Sequence, residues 1–238
     1  MNFRLWLITP AVLLLLTACA TGTQLKPLES REPAKAPVVQ PAEGMVYRVL
    51  PDQSWLKVLV FRSGALANLG HNHVLRFVGL GGEVVAPVDG QHHGWAAITL
   101  DVDKVLIDNP DDRSQAGERF STVPSEKDVA GTRGNLLGPK VLGAEQHPQI
   151  RLELQGMAPV ADSQPVQVTV RLGELVRELT VPVKIELGED QLAATARFAL
   201  SQTDLGMTPF SVLGGALSVA DVLELELMLI AERATDTN

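Results

Sequence analysis

Between Leu175 and Leu187 the odd positions read Leu175, Arg177, Leu179, Val181, Val183, Ile185 and Leu187, whereas the even ones include Glu178, Thr180, Lys184 and Glu186. A helix would scatter those apolar side chains around its circumference. Only an extended strand with one buried face gathers them. The same period of two runs through the rest of the chain. Leu223, Leu225, Leu227 and Leu229 alternate with Glu224, Glu226 and Met228, and Val166, Val168, Val170 and Leu172 with Gln167, Thr169 and Arg171. Ile150, Leu152 and Leu154 alternate with Arg151 and Glu153, and Ile98, Leu100 and Val102 with Thr99, Asp101 and Asp103. Leu192, Ala194, Ala196, Phe198 and Leu200 share a further face. With residues 55–61 and 73–85 added, this makes about eight strands, joined at Asp89-Gly90, Gly173-Glu174 and Gly188-Glu189-Asp190, where turn-forming residues cluster.

The expected fold class is therefore all-β, an antiparallel eight-stranded barrel or a sandwich. One stretch, residues 113–148, breaks the pattern. Ser125 and Asp128 form a candidate capping box for a short helix ending near Gly138 and Pro139, with Val129, Leu136 and Leu137 on its inner face. This helical insertion is expected to cover one barrel mouth or to pack on the wall. A barrel of eight strands either fills its lumen with side chains or holds one small ligand. Beyond the first two dozen residues only eight aromatics occur, and Ala194 and Ala196 lie on a buried face. That leaves room for an elongated apolar guest, while aliphatic packing alone could also close the space.

The N-terminus reads differently. Residues 1–4 carry one positive charge, residues 5–16 are apolar apart from Thr9 and Pro10, and Leu16-Thr17-Ala18-Cys19 follows at once. That order is an export signal. Its apolar part falls short of the roughly 20 residues that a spanning helix needs. Leu16-Thr17-Ala18-Cys19 resembles a bacterial lipobox, which implies a signal peptide over residues 1–18, removed before Cys19, and acylation of Cys19. More than one acyl chain on that residue supplies the stable anchoring that a single chain lacks. Ala20 after the cysteine, by resemblance to sorted lipoproteins, favours the outer membrane over the inner. Residues 19–44 contain Pro27, Pro33, Pro37 and Pro41 without apolar periodicity and read as a lipidated, semi-extended tether. The barrel domain is expected over residues 45–238, facing the periplasm.

Charge and motif content narrow the chemistry. With 20 Lys and Arg against 28 Asp and Glu, the formal net charge is -8, which argues against nucleic acid as a partner. One cysteine cannot form an intrachain disulfide framework or a CxxC zinc site. The sequence contains no G-x-S-x-G elbow, Walker loop or H-E-x-x-H. Asp101 and Asp103 read as a solvated outer face.

Several segments, in order, resemble the YceI-like family of lipocalin-like, polyisoprenoid-binding domains. Residues 47–54, with Tyr47, Asp52 and Ser54, resemble its first strand, and residues 77–84 its second. Residues 128–137, followed by Val141-Leu142, His147-Pro148 and Ile150, resemble its helical insertion and the strand after it. Residues 172–183 resemble its central hairpin, and residues 198–207 a late strand and exit turn. The resemblance implies a lipocalin-like barrel holding an isoprenoid-tailed lipid such as a quinone, with no settled enzymatic activity and no required cofactor. The partners it implies are that lipid, the membrane reached through the N-terminal acyl chains, and a membrane redox partner. Gly70-His71-Asn72-His73 departs from the family pattern.

His71 and His73 are two apart, so in a strand both face the same way as Leu75 and Phe77. Two imidazoles above an apolar stripe make a candidate contact for a lipid head group, and His71, His73, Leu75, Phe77, Ala194, Ala196, Phe198 and Leu200 form the candidate ligand-binding set. The same histidines also read as hydrogen-bonded structural residues, or as ligands of a haem or metal in a redox protein. An H-x-H pair alone lacks the third ligand and supporting shell of a metal site. A structural envelope protein with a filled lumen is the remaining alternative.

Overall fold

The computed structural model describes residues 25–32, 44–87, 93–158 and 163–234. Cys19, His92 and the Asp89-Gly90 turn lie outside the described residues. The long strands are β1 (Gly44–Val49), β2 (Trp55–Val60), β3 (His73–Val78), β4 (Gly81–Pro87), β5 (Gly94–Asp101), the short β6 (Val105–Ile107), β7 (Gln149–Met157), β8 (Gln164–Leu172), β9 (Leu175–Leu187), β10 (Gln191–Ser201) and β11 (Val222–Arg233). Two α-helices, α1 (Pro110–Gln115) and α2 (Glu126–Leu137), lie between β6 and β7.

Eight strands close a ring in which every neighbour is antiparallel. Its order is β1, β4, β5, β7, β8, β9, β10, β11 and back to β1. The period of two read from β9 is thus the inside and outside of a closed wall. β11 also extends the wall in a second direction, because its first half pairs with β2, which pairs with β3, which pairs with β6. Ser54 holds the passage from β1 to β2, its hydroxyl accepting from the Ile230 amide at 3.0 Å and donating to the Ile230 carbonyl at 3.2 Å.

Where a single strand is expected over residues 73–85, the chain forms two. β3 ends at Val78, and Gly79 adopts φ +72, a conformation open to glycine, before β4 begins at Gly81. The helical insertion is also two pieces. Asn109 caps α1 by accepting the Asp111 amide, and α1 packs against the outer wall at β3. α2 carries the expected capping box, Ser125 Oγ accepting from the Asp128 amide at 3.3 Å and the Asp128 carboxylate accepting from the Ser125 amide at 3.0 Å.

The outward side chains of β2 and β3 lie beneath this insertion. Leu59, Val74 and Phe120 form a small second core with Phe61 and Ala116. Beside it Lys57 and Asp112 are buried as an ion pair at 3.5 Å, and Arg76 adds a second cation at 3.1 Å from the same carboxylate.

Part of the stretch read as a tether joins the wall. β9 and β10 pair only from Val183–Leu187 to Leu192–Ala196. Past that point Pro27–Leu28 pairs in parallel with Ala199 and Leu200 of β10, and Ser30–Arg31 pairs antiparallel with Leu179 and Glu178 of β9. The N-terminal segment thus occupies the gap between the two strands, satisfying backbone groups that their divergence frees.

Candidate functional site

Inside the ring is a cavity of about 490 Å³, within the range of pockets that hold one small ligand. Its walls are aliphatic. Leu56 and Val58 of β2, Leu152 and Leu154 of β7, Val181 and Val183 of β9, and Leu223, Leu225, Leu227 and Leu229 of β11 all face it. The lumen is therefore open rather than filled by side chains.

Of the candidate ligand-binding residues, His71, His73, Leu75, Phe77, Ala194, Phe198 and Leu200 line the cavity. Ala196 is buried on the same face but does not line it. Its single methyl lies opposite Val183 on one neighbouring strand and Leu227 on the other, and those longer side chains reach the lumen in its place.

The two ends of the cavity differ. Tyr47, fully buried, lies at one end and donates its hydroxyl to the Gly188 carbonyl at 3.2 Å. At the other end the strands terminate near His73, Leu175, Ser201 and Val222, and the lining turns polar. His71, His73, Arg62, Thr132, Asn135 and Arg177 surround this mouth, with α2 and residues 203–219 over it. Leu136 of α2 reaches the lumen, so the insertion does cover the mouth through α2 while α1 packs on the wall.

His73 is held from both sides. Nδ1 lies 2.6 Å from Asp108 Oδ2 and Nε2 lies 3.3 Å from Thr132 Oγ1. Asp108 also accepts from the Val74 amide at 2.9 Å and from the Arg113 guanidinium. Burial pushes its carboxyl up, but the hydrogen bonds from His73 and Val74, the charge of His73 and Arg113 together hold it below the usual carboxylate range. Nδ1 faces that carboxylate and Nε2 faces Thr132 and the mouth, so the carboxylate orients the ring, a role it commonly plays for histidine. His71 lies beside it, ring centroids 6.2 Å apart.

Arg177 is the one charged side chain on the inward face of β9. It lines the mouth, donates to the Val176 carbonyl at 2.9 Å and lies 3.7 Å from Glu32. Gly206, at φ +80, makes room for it, since a Cβ there would stand 2.5 Å from the guanidinium. Asp108, Thr132 and Arg177 were not among the candidate site residues. Arg177 had a signal, a lone cation in an apolar register. Asp108 and Thr132 had none, because they are 35 and 59 residues from His73.

A haem or metal would find two imidazoles at this mouth, one of them engaged by Asp108. Among the described residues no three His, Cys, Asp or Glu side chains come together to hold a metal ion. Asp101 pairs with Lys104 and Gln149 on the outside, each at 2.8 Å.

No protein-family model matches the sequence, and no curated protein matches it. Solved structures do. Burkholderia cenocepacia BcnA is 14% identical, the match covering 79% of this chain and 99% of that one, with a TM-score of 0.55. A polyisoprenoid binding domain from Saccharophagus degradans, implicated in plant cell wall breakdown, is 11% identical over 80% of this chain and 99% of its own, at 0.53. The Campylobacter jejuni YCEI protein is 9% identical over 68% of this chain and 85% of its own, at 0.48. At these identities the likeness is one of fold, and the first two structures support the antiparallel barrel.

Proposed function

We propose that this chain is an envelope-anchored lipoprotein of the YceI-like type that holds an isoprenoid-tailed lipid, such as a quinone, in its barrel lumen. The observation that carries this reading is the aliphatic cavity, enclosed by the ring together with β2 and β3 and polar at one mouth. A long hydrocarbon tail fits such a lining, and the His71, His73, Thr132 and Arg177 set suits a polar head group. The name of the Saccharophagus degradans neighbour supports the same ligand class. Lipidation at Cys19, residence in the outer membrane facing the periplasm, and a membrane redox partner belong to the same proposal.

Energetics make the role that of a carrier or buffer. Each CH₂ moved from water into the lumen contributes about 0.8 kcal/mol. A tail that comes from a bilayer gains little, because it leaves one apolar medium for another. Net transfer then turns on head-group contacts and fit, which suits reversible exchange with a membrane. Organic extraction of the gently purified chain, followed by mass spectrometry, tests the reading. One isoprenoid lipid per chain is expected, and a lumen without any long-chain lipid contradicts it.

A further inference from the structure

We infer that the mouth of the barrel docks on a lipid bilayer through an apolar rim, so that the lumen opens toward the membrane surface. This rests on the lipid-carrier reading above and adds an orientation and a surface to it.

The three most exposed large apolar side chains among the described residues are Val123 at 80%, Leu69 at 69% and Leu213 at 67%. All three belong to loops at the mouth. The loop carrying Leu69 packs on the one carrying Leu213, since the Leu66 amide donates to the Ala216 carbonyl at 2.8 Å and Gly70 packs against Leu217. Val123 follows Thr122, whose carbonyl shares the Arg113 guanidinium with the Asn72 carbonyl. Both loops that carry the leucines also contribute residues to the lumen, such as His71, Val212 and Leu217. Exposed apolar side chains thus stand at the lip, beside the polar side chains that ring the mouth.

The attachment of the N-terminal segment names the occupant. Leu28 and Ser30 are paired to β10 and β9 near the mouth end, away from the Tyr47 end. Cys19 precedes Leu25 by six residues, a span of at most about 20 Å even when fully extended. Residues 27–31 run toward the mouth, so Leu25 enters the wall below the rim, and an acylated Cys19 on so short a leash holds the mouth-side half of the barrel near the bilayer, where the exposed leucines have an apolar medium to enter. Large exposed apolar side chains grouped around a ligand mouth are what such contact requires.

The test uses the full acylated chain, in which Cys19 is consumed and an introduced cysteine is the one free thiol. Ser211→Cys, beside the rim, and Glu189→Cys, in the turn at the opposite end, each receive an environment-sensitive fluorophore. Vesicles of phosphatidylethanolamine and phosphatidylglycerol carry nitroxides on their acyl chains. The expected result is severalfold stronger quenching at position 211 than at 189, lost in Leu69→Ser/Leu213→Ser although the chain still sediments with the vesicles. Equal quenching at both positions, or quenching unchanged by the double substitution, overturns the inference. So does a concentration-dependent dimer in detergent that the double substitution abolishes, which would assign the rim to a second copy. Lipid extracted from the same samples separates the two readings. Bound isoprenoid without rim quenching contradicts docking alone, and rim quenching without bound lipid contradicts the carrier alone.

Discussion

His73 and Asp108 meet side by side at the barrel mouth, at the ends of the paired strands β3 and β6, with Nδ1 and Oδ2 2.6 Å apart, although 35 residues separate them in the chain. The contact ties β3 to the residue that leads into α1, and it leaves the far side of the imidazole, Nε2, toward Thr132 and the lumen. Because the folded Asp108 carboxyl lies below its unfolded value, the unfolded chain binds more protons in the interval between the two. Its contribution is complete above the unfolded value, near 3.9, and is lost as pH falls through the folded one. Urea unfolding from pH 6 down to pH 3 should show stability dropping with acid, and Asp108→Asn should flatten that drop.

Asp112 makes a more costly pair. It is 1% exposed, and Lys57, itself buried, has Asp112 and the distant edge of Glu226 as its acidic partners at 3.5 and 4.0 Å. Removing the carboxylate leaves the buried Lys57 with Glu226 at 4.0 Å as its acidic partner and takes the Asp112 contact from Arg76. Asp112→Ala should cost about 3–5 kcal/mol in urea or thermal unfolding, the usual penalty for breaking a buried pair. A loss below 1 kcal/mol would mean that water reaches the cluster.

Ala194 lines the lumen between Ile185 and Leu229. Ala194→Phe should fill part of the cavity at an overpacking cost of about 1–3 kcal/mol and should reduce co-purified lipid far more than it reduces folded protein. Lipid content per folded chain, by extraction against a circular dichroism standard, measures it.

The wall segment should contribute stability beyond spacing. Leu28 packs on the barrel core next to Leu200. Leu28 is half-buried, so Leu28→Asp should destabilise the chain by about 1 kcal/mol, a part of the roughly 1.5–3 kcal/mol that full burial of a leucine contributes, and should speed lipid release through the gap between β9 and β10. An unchanged unfolding midpoint would show that residues 27–31 add nothing to the wall.

What could be read from the sequence follows the physics of period two. In β9 each inward residue announces itself, Arg177 included, because a half-buried strand imposes its pattern residue by residue. The capping box of α2 was equally legible, since its two partners are three residues apart. α1 was not, because six residues rich in Asp, Arg, Ser and Gln carry no apolar period, and its place is set by Asp112 meeting Lys57 and Arg76 from other strands. The pairing of residues 27–31 was hidden for a related reason. The gap between β9 and β10 supplies the hydrogen-bonding partners, and nothing in Pro27 or Ser30 themselves signals a strand.

The central claim is that the lumen is an occupied lipid site, and intact-mass measurement under native conditions tests it most directly. The purified chain should carry a single adduct of isoprenoid-lipid mass, restored after delipidation by adding a long-chain prenyl quinone and missing in Ala194→Phe. A chain that shows no adduct even after that addition, or an adduct indifferent to the filled lumen, would contradict it.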